Sequence, residues 1–314
     1  MPNIIHSPEL AAALINQGFV VAFPTETVYG LGAAADNQIA CAKIYALKGR
    51  PAFNPLIVHV GSILQAQSLG YFNEPALLLA QKFWPGPLTL VVKRRLDSNI
   101  ALCVTAGLET IAIRMPAHPC ALELLRISGK AIAAPSANIS NYITATSYLH
   151  VQDDFSHTDL YILASSDLQA CALESTIIDT TTTPLQILRH GVILPQDLQE
   201  ITGLELGDSC SEGIKAPGML SKHYAPRSAV RLNATSIDAQ EVGIDFGAQL
   251  IGAKFSLSAS GDLFRAATQL YDTLRQADAY ASAQKLKIAI ASIPNQGIGV
   301  AINDRLKRSV GETL

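Results

Sequence analysis

Long apolar runs are missing from this chain: none of its 314 residues falls in an uninterrupted hydrophobic stretch near the roughly 18 that a membrane-spanning helix needs. No basic segment followed by an apolar core opens it either, so the expectation is a cytoplasmic protein with no secretory leader and no membrane partner. Cysteine is sparse and unpaired in pattern. Cys41, Cys103, Cys120, Cys171 and Cys210 form no C-x-x-C motif, and an odd count does not suit a disulfide framework, which agrees with a reducing compartment.

The familiar catalytic signatures are absent as well. There is no G-x-x-x-x-G-K-S/T phosphate loop, no H-E-x-x-H, no G-x-S-x-G, and the seven histidines show no metal-ligand spacing. These absences exclude a Walker-type nucleotidase, a zinc protease and a serine hydrolase of the common kinds. The formal net charge of −3 gives no overall attraction to nucleic acid, so any RNA contact has to come from a local basic patch.

What is present is a packed globular chain, 49% hydrophobic with a mean hydropathy of +0.25 and long enough for two domains. Ser7, Pro8, Glu9 and Gly18 bracket an opening helix over 10–15 with cap, first-turn proline, acidic first turn and glycine stop. Short apolar runs at 19–23, 56–60, 88–92, 111–114, 131–134, 160–163 and 176–179 read as strands, with helical spacing at 39–47, 76–83 and 121–126. The first domain is therefore expected to be mixed α/β over 1–203. A Gly-, Ser-, Pro- and Asp-rich stretch over 204–228 reads as a linker, and 229–314 as a small α/β unit with strands near 242–246 and 286–290 and helices near 262–279 and 298–310.

The richest segment is Pro24-Thr25-Glu26-Thr27-Val28-Tyr29-Gly30-Leu31-Gly32, followed by Lys48-Gly49-Arg50-Pro51 and Asn54-Pro55. Hydroxyls and glycines directly after a buried strand are expected to turn backbone N–H groups toward an anion, with two cations arriving one helix later. Gly30 to Ala35 imitates a dinucleotide fingerprint, but the next strand ends in His59-Val60 where that fold needs an acidic residue. Lys48 and Arg50 either complement a helix C-terminus or clamp phosphate oxygens. Polar groups also stand at the strand ends Ser136-Ala137-Asn138, Glu174-Ser175-Thr176 and Arg189-His190-Gly191, so a single cavity lined by these ends is expected.

Together with Pro85-Gly86-Pro87-Leu88-Thr89, and with Ala216-Pro217-Gly218-Met219 and His223-Tyr224-Ala225-Pro226 further on, these motifs resemble the YrdC-like threonylcarbamoyl-AMP synthases in their two-domain form. The resemblance implies a twisted mixed sheet with helices forming an open cavity, plus a smaller Rossmann-like α/β C-terminal domain, with the linker crossing the site. It implies the condensation of L-threonine, bicarbonate or CO2, and ATP with Mg2+ into L-threonylcarbamoyl-AMP and pyrophosphate, for threonylcarbamoyladenosine in tRNA. The product would pass to downstream tRNA threonylcarbamoyl transferase proteins, with direct tRNA contact allowed but not required.

By the same resemblance Thr27, His59, Arg114, Ser136 and Ser175 would hold L-threonine, and Arg50, Asn54, Thr110, Asn138, Thr146, Arg189 and Tyr224 would hold ATP. Lys48 and Arg50 would be the catalytic cations, with no protein metal site, and the C-terminal domain would control the linker and take no part in catalysis. The chain departs from the family pattern at Asn141, His190, Ala164-Ser165-Ser166 and Ala172, where the family usually has Gly, Pro, Asp-Gly-Gly and Gly. These changes bear on the loop beside Ser175, and Asn141 is expected to take a left-handed turn. A rival reading, an RNA-binding module of this fold without turnover, has the net charge against it. A carbamoyl-transferring relative would append domains and paired C-x-x-C motifs that are not here, and a third reading, a paralogue with weakened activity, draws on the altered loop from Ala164 to Ala172.

Overall fold

The computed structural model describes residues 1–165, 172–208 and 223–311. The first unit runs β1 (Asn3–Ile5), α1 (Pro8–Asn16), β2 (Val21–Phe23), β3 (Gly30–Ala34), α2 (Gln38–Lys48), β4 (Ile57–His59) and α3 (Ile63–Leu69). It continues with β5 (Gly70–Tyr71), α4 (Glu74–Phe83), β6 (Leu88–Arg94), α5 (Leu102–Thr105), β7 (Thr110–Arg114), α6 (Pro119–Ser128) and β8 (Ile132–Ala133). Then come α7 (Tyr148–Asp154), β9 (Tyr161–Leu163), β10 (Thr176–Asp179), β11 (Leu185–Arg189), α8 (Pro195–Thr202) and β12 (Leu206–Asp208). The second unit comprises β13 (Val230–Ala234), β14 (Glu241–Phe246), β15 (Phe255–Ser258), α9 (Leu263–Gln284), β16 (Lys287–Ala291) and α10 (Gly299–Val310).

Among the described residues, the first unit's strands form one mixed sheet in the order β1-β9-β2-β3-β8-β4-β7-β6-β10-β11-β12, with β5 joined to β6. Its helices start where the residues dictate. Ser7 accepts from the Leu10 N–H at 3.2 Å and Pro8 opens α1, while Asn37 caps α2, which ends at the left-handed Gly49 and so delivers Lys48 and Arg50 to one place. Parallel pairing of β4 with β7 puts His59 opposite Arg114, and antiparallel pairing of β6 with β7 puts Thr89 opposite Arg114.

Two sequence expectations change. Gly30 to Ala34 is a strand and not a loop: β3 pairs antiparallel with β2 and β8, and the Leu31 N–H goes to the Pro135 carbonyl at 2.9 Å. Those N–H groups are spent on the sheet, so they cannot cradle an anion. The glycines answer a packing need, since a Cβ on Gly32 would stand 2.6 Å from the Phe23 ring and 2.8 Å from Ile132. Further along, 206–208 adds β12 in parallel to β11, a sheet edge inside the stretch read as linker. Residues 209–222, including Ala216 to Met219, and Ser166 lie outside the described residues.

The second unit's sheet is wholly parallel, order β13-β16-β14-β15, with α9 packed on β14, β15 and β16 and α10 on β13. Its apolar core does not stop at the boundary. Val28, Ile143, Leu173 and Tyr224 are buried in the same cluster as Ile244, Leu270, Tyr271 and Ile302.

Candidate active site

The polar strand ends meet around one cavity. Arg50, His59, Arg114, Ser136, Arg189 and Tyr224 line it, and so do Thr25, Glu174 and His223, which the sequence-derived site residues omitted.

One corner of the cavity is built on β7. Arg114, 3% exposed, donates to the Thr27 hydroxyl at 3.0 Å, to the Gly86 carbonyl at 3.3 Å and to Glu26 at 2.6 Å. Thr27 sits 3.0 Å from the Thr25 hydroxyl, and Thr25 in turn donates to the Val28 carbonyl at 2.6 Å, closing the turn after β2. The second Glu26 oxygen is buried and without a partner. Burial, with Arg114 beside it, drives His59 down to about 3, so the ring is neutral and presents an unpartnered Nδ1.

The cationic corner follows α2. Lys48 donates to the Ser136 carbonyl at 2.7 Å and to the Asn138 carbonyl, which ties the end of α2 to the loop after β8. Its amine is pushed well below the usual lysine range by burial and by Arg50. Arg50 donates to the carbonyls of Asn54 and Pro55 at 3.1 and 2.8 Å, and burial lowers it to about 10. Asn54 is buried with both amide atoms unpartnered, while Ser136 donates to the Asn138 side chain at 2.6 Å.

The third wall is the Glu174-Ser175 corner. Arg189 donates from Nε to the Ser175 carbonyl at 3.0 Å and from Nη2 to its hydroxyl at 3.1 Å; that hydroxyl is also 2.7 Å from Thr89. Close approach here depends on Gly191, where a Cβ would lie 2.5 Å from the Thr176 nitrogen and 2.7 Å from the Glu174 carbonyl. Tyr224 takes a positive φ of 63° and stacks on Tyr271 with ring centres 5.6 Å apart. Burial sends Tyr224 up to about 12, and His223 down to about 3.

Seven of the sequence-derived residues do not line this cavity: Thr27, Lys48, Asn54, Asn138 and Ser175 stand behind it, each hydrogen-bonded to a residue that does, while Thr110 and Thr146 stand apart. Thr110 opens β7, paired with Lys93 at the opposite end from Arg114, about 13 Å along the strand. Thr146 is 3.2 Å from His150 and does not line the cavity. Asn141 does adopt the left-handed turn, φ 66°, so the family glycine is replaced without loss of the turn. Two acids that sequence reasoning left out, Glu174 in the cavity wall and Glu26 behind it on Arg114, both stand inside motifs it had singled out. An acidic residue within an otherwise buried motif was the available signal.

An enzyme cavity of cations and hydroxyls on a mixed α/β sheet is the class that this fold and site define. The chain matches a family model described as "Telomere recombination" over residues 13–191 and one described as "Threonylcarbamoyl-AMP synthase, C-terminal domain" over 193–311. It belongs to the Sua5/YciO/YrdC family. It is 39% identical to a Bacillus subtilis protein named threonylcarbamoyl-AMP synthase, covering 96% of this chain and 92% of that one. A protein of the same name from Pyrococcus abyssi is 36% identical over 96% and 93% of the two chains. A crystal structure of P. abyssi Sua5 complexed with L-threonine superposes with a TM-score of 0.88 at 33% identity, covering 99% of this chain and 98% of that one.

Proposed function

We infer that this chain is an L-threonylcarbamoyladenylate synthase, a nucleotidyltransferase that condenses L-threonine, bicarbonate or CO2, and ATP into L-threonylcarbamoyl-AMP and pyrophosphate. The observation that carries the reading is the convergence of Arg114, Arg50 and Arg189 on one cavity beside the Thr27 and Ser175 hydroxyls. Relatives of that name match nearly the whole chain.

In the proposed scheme Arg114, Thr27, His59, Ser136 and Ser175 receive the amino acid, the guanidinium taking its carboxylate. Arg50, Asn54, Asn138, Arg189 and Tyr224 face the nucleotide, with Thr110 and Thr146 reaching it only at its periphery. The amine of L-threonine adds to CO2 and loses a proton to water to give a carbamate; a carbamate oxygen attacks the α-phosphorus, and pyrophosphate leaves. Lys48, Arg50 and Arg189 neutralise the departing charge, and positioning supplies most of the rate. Neutral His59 suits a site that must not protonate the attacking amine.

Mg2+ enters as part of the MgATP substrate. In this reading the ion is carried by the phosphates and water and not by a protein cage. No helix among the described residues is long and apolar enough to cross a membrane, and we place the reaction in the cytoplasm, upstream of the proteins that transfer the threonylcarbamoyl group to tRNA. The test is a product assay with ATP, Mg2+, bicarbonate and labelled L-threonine, with L-serine in parallel. The expected result is threonylcarbamoyl-AMP and equimolar pyrophosphate; RNA affinity without turnover would establish the binding-module reading instead.

A further inference from the structure

Among the described residues, Glu174 is the one acid in the cavity wall, and its partners come mostly from the second unit. It is 5% exposed, and three donors reach its carboxylate: the Thr144 hydroxyl at 2.9 Å, the Tyr271 hydroxyl at 2.8 Å and Arg305 Nε at 3.3 Å. Tyr271 lies on α9 and Arg305 on α10, 97 and 131 residues further along the chain. Arg305 is completely buried, donates also to Asp304 at 2.9 Å and holds its guanidinium carbon 5.7 Å from the Tyr224 ring centre. The remaining donor, Thr144, is itself held from α9. Arg275 donates to the Thr144 carbonyl at 3.2 Å while paired with Asp154 at 2.7 Å.

A buried carboxylate is tolerated only where charge and hydrogen bonds repay its desolvation. The direct bonds that the first unit makes to Glu174 amount, among the described residues, to one hydroxyl. The next residue is Ser175, whose hydroxyl and carbonyl are fixed by Arg189 and Thr89, so displacement of Glu174 moves this corner of the cavity.

We propose that Tyr271 and Arg305 are positioning residues of the active site, holding Glu174 and through it the Ser175–Arg189 corner. The second unit is then a working part of the cavity wall, in place of the linker control expected from the sequence. The proposal rests on the synthase reading for its kinetic test.

The charges around Glu174 supply a signature that packing alone would lack. Burial raises the Glu174 carboxyl, but Arg305 and Arg189, with the Tyr271 hydrogen bond, bring it below the usual carboxylate value. The groups facing it are Arg305 and Asp304 from α10, Tyr271 from α9, Arg189 from β11, and His223 and Tyr224 from the segment before β13. With Arg305 removed, burial is opposed by Arg189 and by the hydrogen bonds from Tyr271, Thr144 and the Glu174 backbone, and Glu174 takes up a proton at a higher pH.

The experiment uses the full chain and compares kcat and KM across pH 4–9 for the wild type, Tyr271→Phe, Arg305→Met, Arg305→Lys and, as a second-unit control, Arg231→Ala. Tyr271→Phe should lower kcat/KM about tenfold and Arg305→Met about a hundredfold, the scale of a lost bond to a charge and of a broken buried pair. The acid limb of the Arg305→Met profile should move up by about one pH unit or more, Arg305→Lys should restore it, and Arg231→Ala should change neither. Folded Tyr271→Phe and Arg305→Met proteins with kcat/KM within about twofold of wild type and an unmoved acid limb overturn the proposal. If Arg305→Met does not fold, unchanged kinetics in Tyr271→Phe overturn it alone. Calorimetry with L-threonine on the same proteins separates this inference from the functional one. A wild type that binds L-threonine without making product, and loses that affinity in Tyr271→Phe, sinks the synthase reading and sustains this one; a wild type that neither binds nor turns over sinks both.

Discussion

Arg114 and Glu26 form a 2.6 Å ion pair with side chains only 4% and 11% exposed, so the guanidinium proposed to receive a substrate carboxylate already holds a carboxylate of the protein. An incoming amino acid must share Arg114 with Glu26 or displace it. Glu26→Gln is therefore expected to cost about 3 kcal/mol of folding stability by leaving a buried cation under-compensated. The same change should tighten L-threonine binding about tenfold, the ratio that relief of 1.4 kcal/mol of competition gives. Thermal denaturation and calorimetry read the two effects; weaker threonine binding with unchanged stability would show that Glu26 does not compete for Arg114.

Arg50 has two duties, since it donates to the Asn54 and Pro55 carbonyls as well as lining the cavity. Arg50→Ala should reduce ATP-dependent pyrophosphate release by about a hundredfold or more. Arg50→Lys should recover little, because one ammonium cannot reproduce a planar fork that satisfies carbonyls and phosphates together. Near-normal turnover in the alanine variant would remove Arg50 from the mechanism.

Gly191 touches backbone, which cannot rotate away. A methyl group there would meet the Thr176 nitrogen at 2.5 Å, the Glu174 carbonyl at 2.7 Å and the Ser175 carbonyl carbon at 2.8 Å. Gly191→Ala should destabilise the chain by about 3 kcal/mol, lowering Tm by several degrees, and should raise KM for L-threonine through the displaced Ser175. A variant that melts with the wild type would mean this approach relaxes at no cost.

Acid sensitivity should begin above the carboxylate range. His59 and His223 are held neutral, lowered by burial to about 3, whereas in the unfolded chain each titrates near 6.5. Below that pH the unfolded state binds protons that the folded state refuses, so stability is complete above about 6.5 and is lost as pH falls toward 3. Each histidine contributes about 1.4 kcal/mol per pH unit within that window. Urea unfolding at pH 7, 6 and 5 measures the slope; identical stability at all three would contradict two buried neutral histidines.

Much of this architecture is legible in the sequence because its signals are local. Ser7, Pro8 and Gly18 announce α1, the helical spacing at 39–47 falls within α2, and the apolar runs at 88–92 and 111–114 become the paired strands β6 and β7. The motif residues at strand ends also meet at one cavity, since a sheet gathers such ends whatever their separation in sequence. Gly30 and Gly32 misled. Glycine permits both loop and strand, and only the Phe23 ring lying against them shows that the strand needs residues without side chains.

By itself, then, the sequence determined the family, the mixed α/β class and the cations and hydroxyls of the site, because residue type, spacing and caps act over a few neighbours. Tertiary structure alone decided what those groups hold before any substrate arrives. Arg114 is paired with Glu26, Lys48 bridges two carbonyls, and Glu174 is bound by Tyr271 and Arg305 from the far end of the chain. No local signal connects Glu174 to a helix 131 residues away; desolvation of a carboxylate in a shared core does, and that requirement exists only once the two units are packed together.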